Sequence, residues 1–213
     1  MSKLEIPTDI HQPFVIGDDI NVNEENPESS TFHVSISTRF LLEHGLKVTH
    51  LCTDATYKLM WHGFPVFLIG VTDMHRRFHP TSLSICCNEQ TEDYEFIFRT
   101  LKQTKEKLFN IVYNPNILIA DGAGAITNGF LNVFRPEYYI RIMCWIHMLR
   151  NVEKQLNSVG LTDYKEQIIF DIKIIQKSFS KEHFNYSVQL FTTKWQSKNI
   201  TEINSFLNYF DNE

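Results

Sequence analysis

The order of strand-like and helix-like segments constrains the fold of this chain more than any other sequence feature. Three apolar runs with strand character come first, and helical periods then alternate with two further runs. Short polar connections between the first three runs favour an antiparallel meander, whereas alternating helices and strands favour a sheet covered by helices. The sequence therefore predicts an α/β fold with a mixed five-stranded sheet flanked by helices. The predicted strands cover residues 48–57, 64–73, 78–87, 117–121 and 139–144.

The composition is that of a soluble globular protein with an acidic N-terminal flank. Apolar residues make up 43% of the 213 residues, and no apolar run approaches the roughly 20 residues that cross a bilayer. The net charge is -5, but residues 1–30 hold seven acids against one base, Lys3, so the remainder is close to neutral. A broad basic footprint for DNA is absent. The four cysteines and the lack of a secretory signal favour a reducing, intracellular setting.

Two aspartates stand at the ends of predicted strands. Asp54 ends the run that starts at residue 48, and Asp121 ends the run 117–121. A carboxylate at such a position faces solvent and can hold a cation without burying an unpaired charge. On neighbouring strands, the pair would form the first half of a magnesium site for phosphoryl transfer. The plainer alternatives are a solvated strand end for Asp54 and a cap on the following helix for Asp121.

A series of short motifs carries a family resemblance. In chain order they are DATYK at 54–58, GFPV at 63–66, GVTD at 70–73, FHP at 78–80, Glu89 with EDY at 92–94, ADGA at 120–123, and CWIH at 144–147. Each motif is weak alone, but the ordered set resembles Mutator-like (MULE) transposase domains. The resemblance covers residues 37–157, which is over half of the chain.

This resemblance implies a ribonuclease-H-like fold and a DNA transposase of the DDE class. In that fold the first and fourth predicted strands lie side by side. In that class two aspartates and a glutamate hold two divalent cations, roughly 3.5 to 4 Å apart, for strand cleavage and transfer. Asp54 would be the first acid and Asp121 the second, with Mg²⁺ or Mn²⁺ preferred by oxygen ligands. The implied partners are transposon ends and target DNA, in a homo-oligomer, in the nucleus and away from membranes.

The resemblance also implies a division of the chain. Residues 1–36 are expected to form a partly ordered acidic flank, 37–157 the transposase core, and 158–213 a helical insertion segment. The family's glutamate follows that insertion, so the third acid is expected beyond Glu213, and this chain alone is expected to be inactive. Glu153 and Glu166 are available carboxylates, but a solvated helix face is the expected role for both.

Other candidate residues have both a functional and a structural interpretation. Cys144 and His147 form half of a zinc ligand set; zinc is not expected there, because a tetrahedral site needs two more ligands. They are interpreted as structural, or His147 as a phosphate contact. Glu89 lies near the metal site by analogy, or is a solvated strand end. The candidate DNA contacts are Arg76, Arg77 and Lys58. For the two arginines the alternative is a solvated hairpin tip.

Two other functions remain open from sequence. A host-adopted or truncated transposase domain without catalytic activity would have the same sequence features and act as a DNA-binding module. A ribonuclease-H-like nuclease that does not transpose would need a complete acid triad in a compact domain. The helical residues 160–213 count against that second alternative.

Overall fold

The computed structural model describes residues 6–26, 29–57, 59–75 and 77–211. The chain divides into two compact units, Met1–Met143 and Cys144–Glu213. The sequence-based division placed the boundary after residue 157, whereas the structure assigns the helix that follows Cys144 to the second unit. None of the helices formed by the described residues has the length and apolar character of a membrane-spanning segment.

A mixed sheet forms the centre of the first unit. Its described part has seven strands in the order β1-β2-β5-β4-β3-β6-β7. All neighbouring strands are antiparallel except at β3–β6 and β6–β7, which are parallel. The strands are β1 (Phe14–Asn21), β2 (Thr31–Ser37), β3 (His50–Thr56), β4 (Val66–Thr72), β5 (Phe78–Cys86), β6 (Ile117–Ala120) and β7 (Ile140–Met143).

The five predicted strands are confirmed as β3 to β7, but the predicted strand count was wrong. Two further strands, β1 and β2, come from the segment that was expected to be a partly ordered flank. They pair with each other, and β2 continues the sheet by pairing with β5. β1 is mostly exposed apart from the buried Ile16, so its acidic composition is compatible with a strand that is held by backbone pairing to β2.

Two helices cover one face of this sheet. They are α2 (Thr91–Phe109) and α3 (Gly124–Phe134), and a short helix α1 (Arg39–Glu43) precedes β3. Burying a large apolar side chain stabilises a fold by about 1.5 to 3 kcal/mol, and the contact between helices and sheet buries several of them. The core side chains come from both layers: Leu51, Phe67, Ile69, Leu118, Tyr94, Phe98, Phe130 and Phe134.

The second unit is helical. Its core surrounds Trp195, whose indole N–H donates to Asp171 Oδ2 at 2.9 Å, so the polar edge of this buried ring is satisfied. The Lys194 ammonium donates to the same oxygen at 2.6 Å. The helices are α4 (Trp145–Ser158), α5 (Lys165–Ile175), α6 (Lys181–Gln196) and α7 (Thr201–Phe210), with a 3₁₀ turn at Thr162–Tyr164.

Candidate functional site

Asp54 lies in β3, an interior strand of the sheet, and is exposed to solvent. Its Oδ1 atom accepts a hydrogen bond from the backbone N–H of Ala55 at 3.0 Å, which orients the carboxylate along the strand. On one side β3 pairs with β4, where Asp54 stands opposite Leu68. On the other side β3 pairs with β6. The strand that carries Asp54 is therefore held from both sides.

Asp121 follows the last residue of β6 and is half-buried. Its Oδ1 atom accepts from the N–H of Ala123 at 2.9 Å, and Ala123 is the residue that caps α3. The bond closes a tight polar turn between strand and helix. The expected role of Asp121 as the helix cap is wrong, because the N-cap residue of α3 is Ala123 and no side chain caps this helix.

The pairing of β3 with β6 brings the two aspartates to the same sheet edge. Its register joins Leu51 to Leu118 and Cys52 to Ile119. Asp54 lies two residues after Cys52, and Asp121 lies two residues after Ile119. Because side chains alternate in an extended chain and neighbouring strands lie about 4.8 Å apart, we expect both carboxylates on the face that carries Cys52 and Ile119. The expected adjacency of the first and fourth predicted strands is confirmed.

Arg141 on β7 holds the backbone around Asp121. Its guanidinium donates to the carbonyl oxygens of Leu118 at 3.4 Å, Ala120 at 3.2 Å and Asp121 itself. Its Nε also donates to Thr127 Oγ1 on α3 at 3.2 Å. One cation therefore ties the end of β6 to the start of the next helix. The sequence analysis missed Arg141, because its only sequence signal is a charged residue in a short apolar strand.

We expect Arg141→Met to loosen the turn at Asp121. The variant leaves several carbonyls without their charged donor. A hydrogen bond to a charged group contributes about 1.5 to 3 kcal/mol to stability. Thermal melting should show a lower Tm, and amide hydrogen exchange should become faster at residues 121–124. Arg150→Met, at an exposed position of α4, is the matched control. Unchanged exchange in Arg141→Met would contradict the positioning role.

Glu89 is held by two tyrosine hydroxyls near this edge. It lies between β5 and α2, where Oε2 accepts from the Tyr57 hydroxyl and Oε1 from the Tyr94 hydroxyl, both at 2.8 Å. Burial, with the bond to Glu89, raises the pKa of Tyr57 to about 12. Burial also raises the pKa of Tyr94, and the charges of Glu89 and Asp121 add to that effect. Tyr94 thus lies in the electrostatic field of both carboxylates.

Cys144 and His147 belong to the second unit, at the beginning of α4. Cys144 is the N-cap residue, and His147 lies in the first turn of the helix. Neither belongs to a grouping of three His, Cys, Asp or Glu side chains that could hold an ion within the described ranges. The structural interpretation of the pair stays a prediction. A phosphate contact by His147 stays a prediction.

The turn between β4 and β5 carries the candidate DNA contact Arg77, which is exposed. Asp73 organises this turn: Oδ1 accepts from the N–H groups of His75 and Arg77, at 2.8 and 2.9 Å, and Oδ2 bonds His79 Nε2 at 3.0 Å. The bond with His79 is the main cause that lowers the pKa of Asp73. Two other candidate contacts, Arg76 and Lys58, lie outside the described residues.

The fold and the site define an α/β domain with one aspartate in β3 and another just after β6, its parallel neighbour. Residues 50–151 match the family model of the MULE transposase domain, which confirms the resemblance over this segment. The matched segment runs from the first residue of β3 into α4 and contains both aspartates. It indicates a transposase-type function, and a transposase domain implies DNA binding in general. No curated protein matches the chain significantly.

Proposed function

We propose that this chain supplies the catalytic core of a MULE-type DNA transposase of the DDE class, in which Asp54 and Asp121 hold a divalent cation. The observation that carries the proposal is the parallel pairing of β3 with β6, because Asp54 and Asp121 each follow the last paired residues, Cys52 and Ile119, by two positions. The strand order β5-β4-β3-β6-β7, with β4 antiparallel to its neighbours, supports a ribonuclease-H-like core. The hairpin of β1 and β2 extends that core at the β5 edge.

The donor atoms at this edge fit Mg²⁺ or Mn²⁺. Both candidate ligands are carboxylates, and hard oxygen donors select these ions over zinc. Each aspartate uses Oδ1 for a backbone hydrogen bond, so its orientation is restrained before an ion binds. Restrained ligands lose less conformational entropy on binding. In a complete two-metal site the ions lower the pKa of a bound water and stabilise the leaving oxygen of the scissile phosphate.

The chain's own groups position this site. Arg141 fixes the backbone of Asp121, and β4 fixes that of Asp54. Glu89 is bound by two tyrosine hydroxyls, which makes it a restrained neighbour of the site, and we do not assign it as the third acid. With two acids assigned, we expect the isolated chain to bind metal and DNA without joining DNA strands.

Manganese binding to the purified chain tests this proposal. Mn²⁺ titration followed by electron paramagnetic resonance should show a site that weakens by more than about tenfold in Asp54→Asn and in Asp121→Asn, since even outer ligands of metal sites contribute that much. Asp19→Asn, at an exposed position on β1, is the matched control. Both substitutions keep side-chain volume and a hydrogen-bond acceptor, so the fold should persist, as circular dichroism would verify.

Two results would refute the metal site. One is Mn²⁺ affinity that is equal in wild type and both asparagine variants. The other is a crystal structure with Mn²⁺ in which the two carboxylates lie more than about 8 Å apart, which is beyond the span of a two-metal site. DNA binding in a mobility-shift assay without any Mn²⁺ binding would favour the catalytically inactive module instead.

A further inference from the structure

Three side chains from distant parts of the chain meet beside the start of α2. They are His33 on β2, Cys87 just after β5, and Asp93 in the first turn of α2. One donor atom from each lies within 4.8 Å of the other two. Among the residues that the structure describes, this is the only group of three such side chains that could hold a metal ion. None of the three belongs to the carboxylate pair of β3 and β6.

Backbone pairing produces this meeting. His33 stands opposite Cys86 in the β2–β5 ladder, and the N–H of Cys87 donates to the carbonyl of Phe32 at 3.2 Å. A short connection then leads into α2, where the N–H of Gln90 donates to Asp93 Oδ2 at 2.8 Å. That bond satisfies the start of the helix and turns Oδ1 towards His33. All three residues are thus placed by main-chain hydrogen bonds.

The surroundings of His33 and Asp93 suit a bound cation. Asp93 is only 3% exposed, and its Oδ1 lies 2.9 Å from His33 Nε2. The His33 ring stacks on Phe96, with centroids 4.9 Å apart. The other ring nitrogen, Nδ1, is buried and has no hydrogen-bond partner among the described residues. Because Nδ1 is unpartnered, the hydrogen bond to Asp93 is the one polar contact that holds the ring among the described residues, and Nε2 is the nitrogen that faces the carboxylate.

We propose that His33, Cys87 and Asp93 form a zinc site. A thiolate, an imidazole and a carboxylate are the three ligand types that zinc takes in proteins, and a thiolate is a poor ligand for Mg²⁺. Zinc replaces the direct His33–Asp93 hydrogen bond, and a water molecule completes the tetrahedron. Cys87 loses its thiol proton to solvent on binding, so the affinity rises with pH. Cys87 is partly exposed, which gives the ion a path of entry.

The ion has a structural role that goes beyond the proposed strand-transfer chemistry. It links the first turn of α2 to the paired strands β2 and β5, at the point where their ladder ends. Glu89 lies in the short connection between Cys87 and Asp93, so zinc also restrains the residue that binds Tyr57 and Tyr94. Widely spaced ligands explain why no zinc motif is visible in the sequence.

Zinc and cobalt binding to the full 213-residue chain test the site. We expect one zinc ion per chain in a chelator-competition titration. Cobalt(II) in place of zinc should give a thiolate-to-cobalt charge-transfer absorption. Cys87→Ser should remove that absorption and weaken zinc binding by more than about tenfold. Asp93→Asn should weaken binding while it keeps an oxygen for the Gln90 N–H. Cys144→Ser, which changes the half-buried cysteine of the second unit, is the matched control.

The controls separate this site from the carboxylate pair and from loss of folding. Circular dichroism and metal-free melting should be similar in wild type and Cys87→Ser, because Cys87 lies at the rim of the core. Zinc should raise Tm in wild type and in Asp54→Asn, but not in Cys87→Ser. Absence of zinc binding by the wild-type chain, or equal zinc affinity in Cys87→Ser, would overturn the proposal, whatever the Mn²⁺ result at Asp54 and Asp121.

Discussion

The free energy of unfolding of the first unit is expected to rise as pH increases from about 7 to 9.5, and Lys105→Met is expected to remove most of that rise. Lys105 is fully buried in α2, where its ammonium donates to the carbonyl of His44 at 2.8 Å and lies 4.4 Å from the centre of the Tyr113 ring. Burial lowers the pKa of Lys105 from 10.5 to about 7. Desolvation of the charged form therefore outweighs these two contacts.

The direction follows from proton linkage. Between about pH 7 and 10.5 the unfolded chain keeps the Lys105 proton and the folded chain loses it, so stability increases with pH. Each pH unit in this window adds at most about 1.4 kcal/mol, or about 2 to 3 kcal/mol from pH 7 to 9.5. Above about pH 10 the buried tyrosines oppose this trend, because burial raises the pKa of Tyr94 and Tyr113 in the folded state.

Urea denaturation followed by circular dichroism at several pH values measures this effect. Lys107→Met, at an exposed position of the same helix, is the control and should keep the wild-type pH dependence. The informative quantity is the difference in the free energy of unfolding between wild type and Lys105→Met, and how that difference changes with pH. A difference that stays constant from pH 7 to 9.5 would mean that Lys105 remains charged in the folded protein.

Two glycines of α3 are expected to respond in opposite directions to the same substitution. A Cβ atom on Gly129 would lie 2.6 Å from Tyr94 Cβ, 3.0 Å from Glu95 N and 3.1 Å from Thr91 O, so α2 and α3 would have to separate. Overpacking of this kind costs about 1 to 3 kcal/mol. A Cβ on Gly124 meets no atom within 4 Å. Gly124→Ala should therefore stabilise by about 0.4 to 1 kcal/mol, through the unfolded state.

Thermal melting of the two alanine variants checks this contrast. Both changes add one methyl group to one helix, so intrinsic helix propensity favours both and only the packing differs. A lower Tm for Gly129→Ala and a higher Tm for Gly124→Ala are expected. Equal shifts of the same sign would show that the approach of α2 to α3 is not limited by Gly129.

Much of the fold was predictable, since local patterns determine most of it. The apolar runs that became β3 to β7 and the periods of α2 and α3 each carry a hydrophobic face that must be buried. The hairpin of β1 and β2 was not predicted. Asp18 and Asp19 lie within β1, and most of this strand is exposed, so the alternation that indicates a half-buried strand is weak.

Some residues of the candidate sites could be predicted from the sequence and others could not. The positions of Asp54, in β3, and Asp121, just after β6, were predictable from the apolar runs that precede them, whereas their role at a metal site stays a prediction. Arg141, and the cluster of His33, Cys87 and Asp93, were not, because their roles depend on strand register and on pairing between distant segments. Register arises from the whole sheet. The pairing of β3 with β6 was available only by analogy to a known fold.

The position of β1 at the end of the strand order has a consequence for self-association. The outer strand of a sheet presents a row of backbone donors and acceptors that can template pairing with another chain. Here that outer strand carries Asp18 and Asp19, and a second copy approaching this edge would bring its own aspartates against them. Like charges directly opposite in a ladder are unfavourable. The acidic N-terminal segment thus discourages aggregation through the growth of the sheet from molecule to molecule.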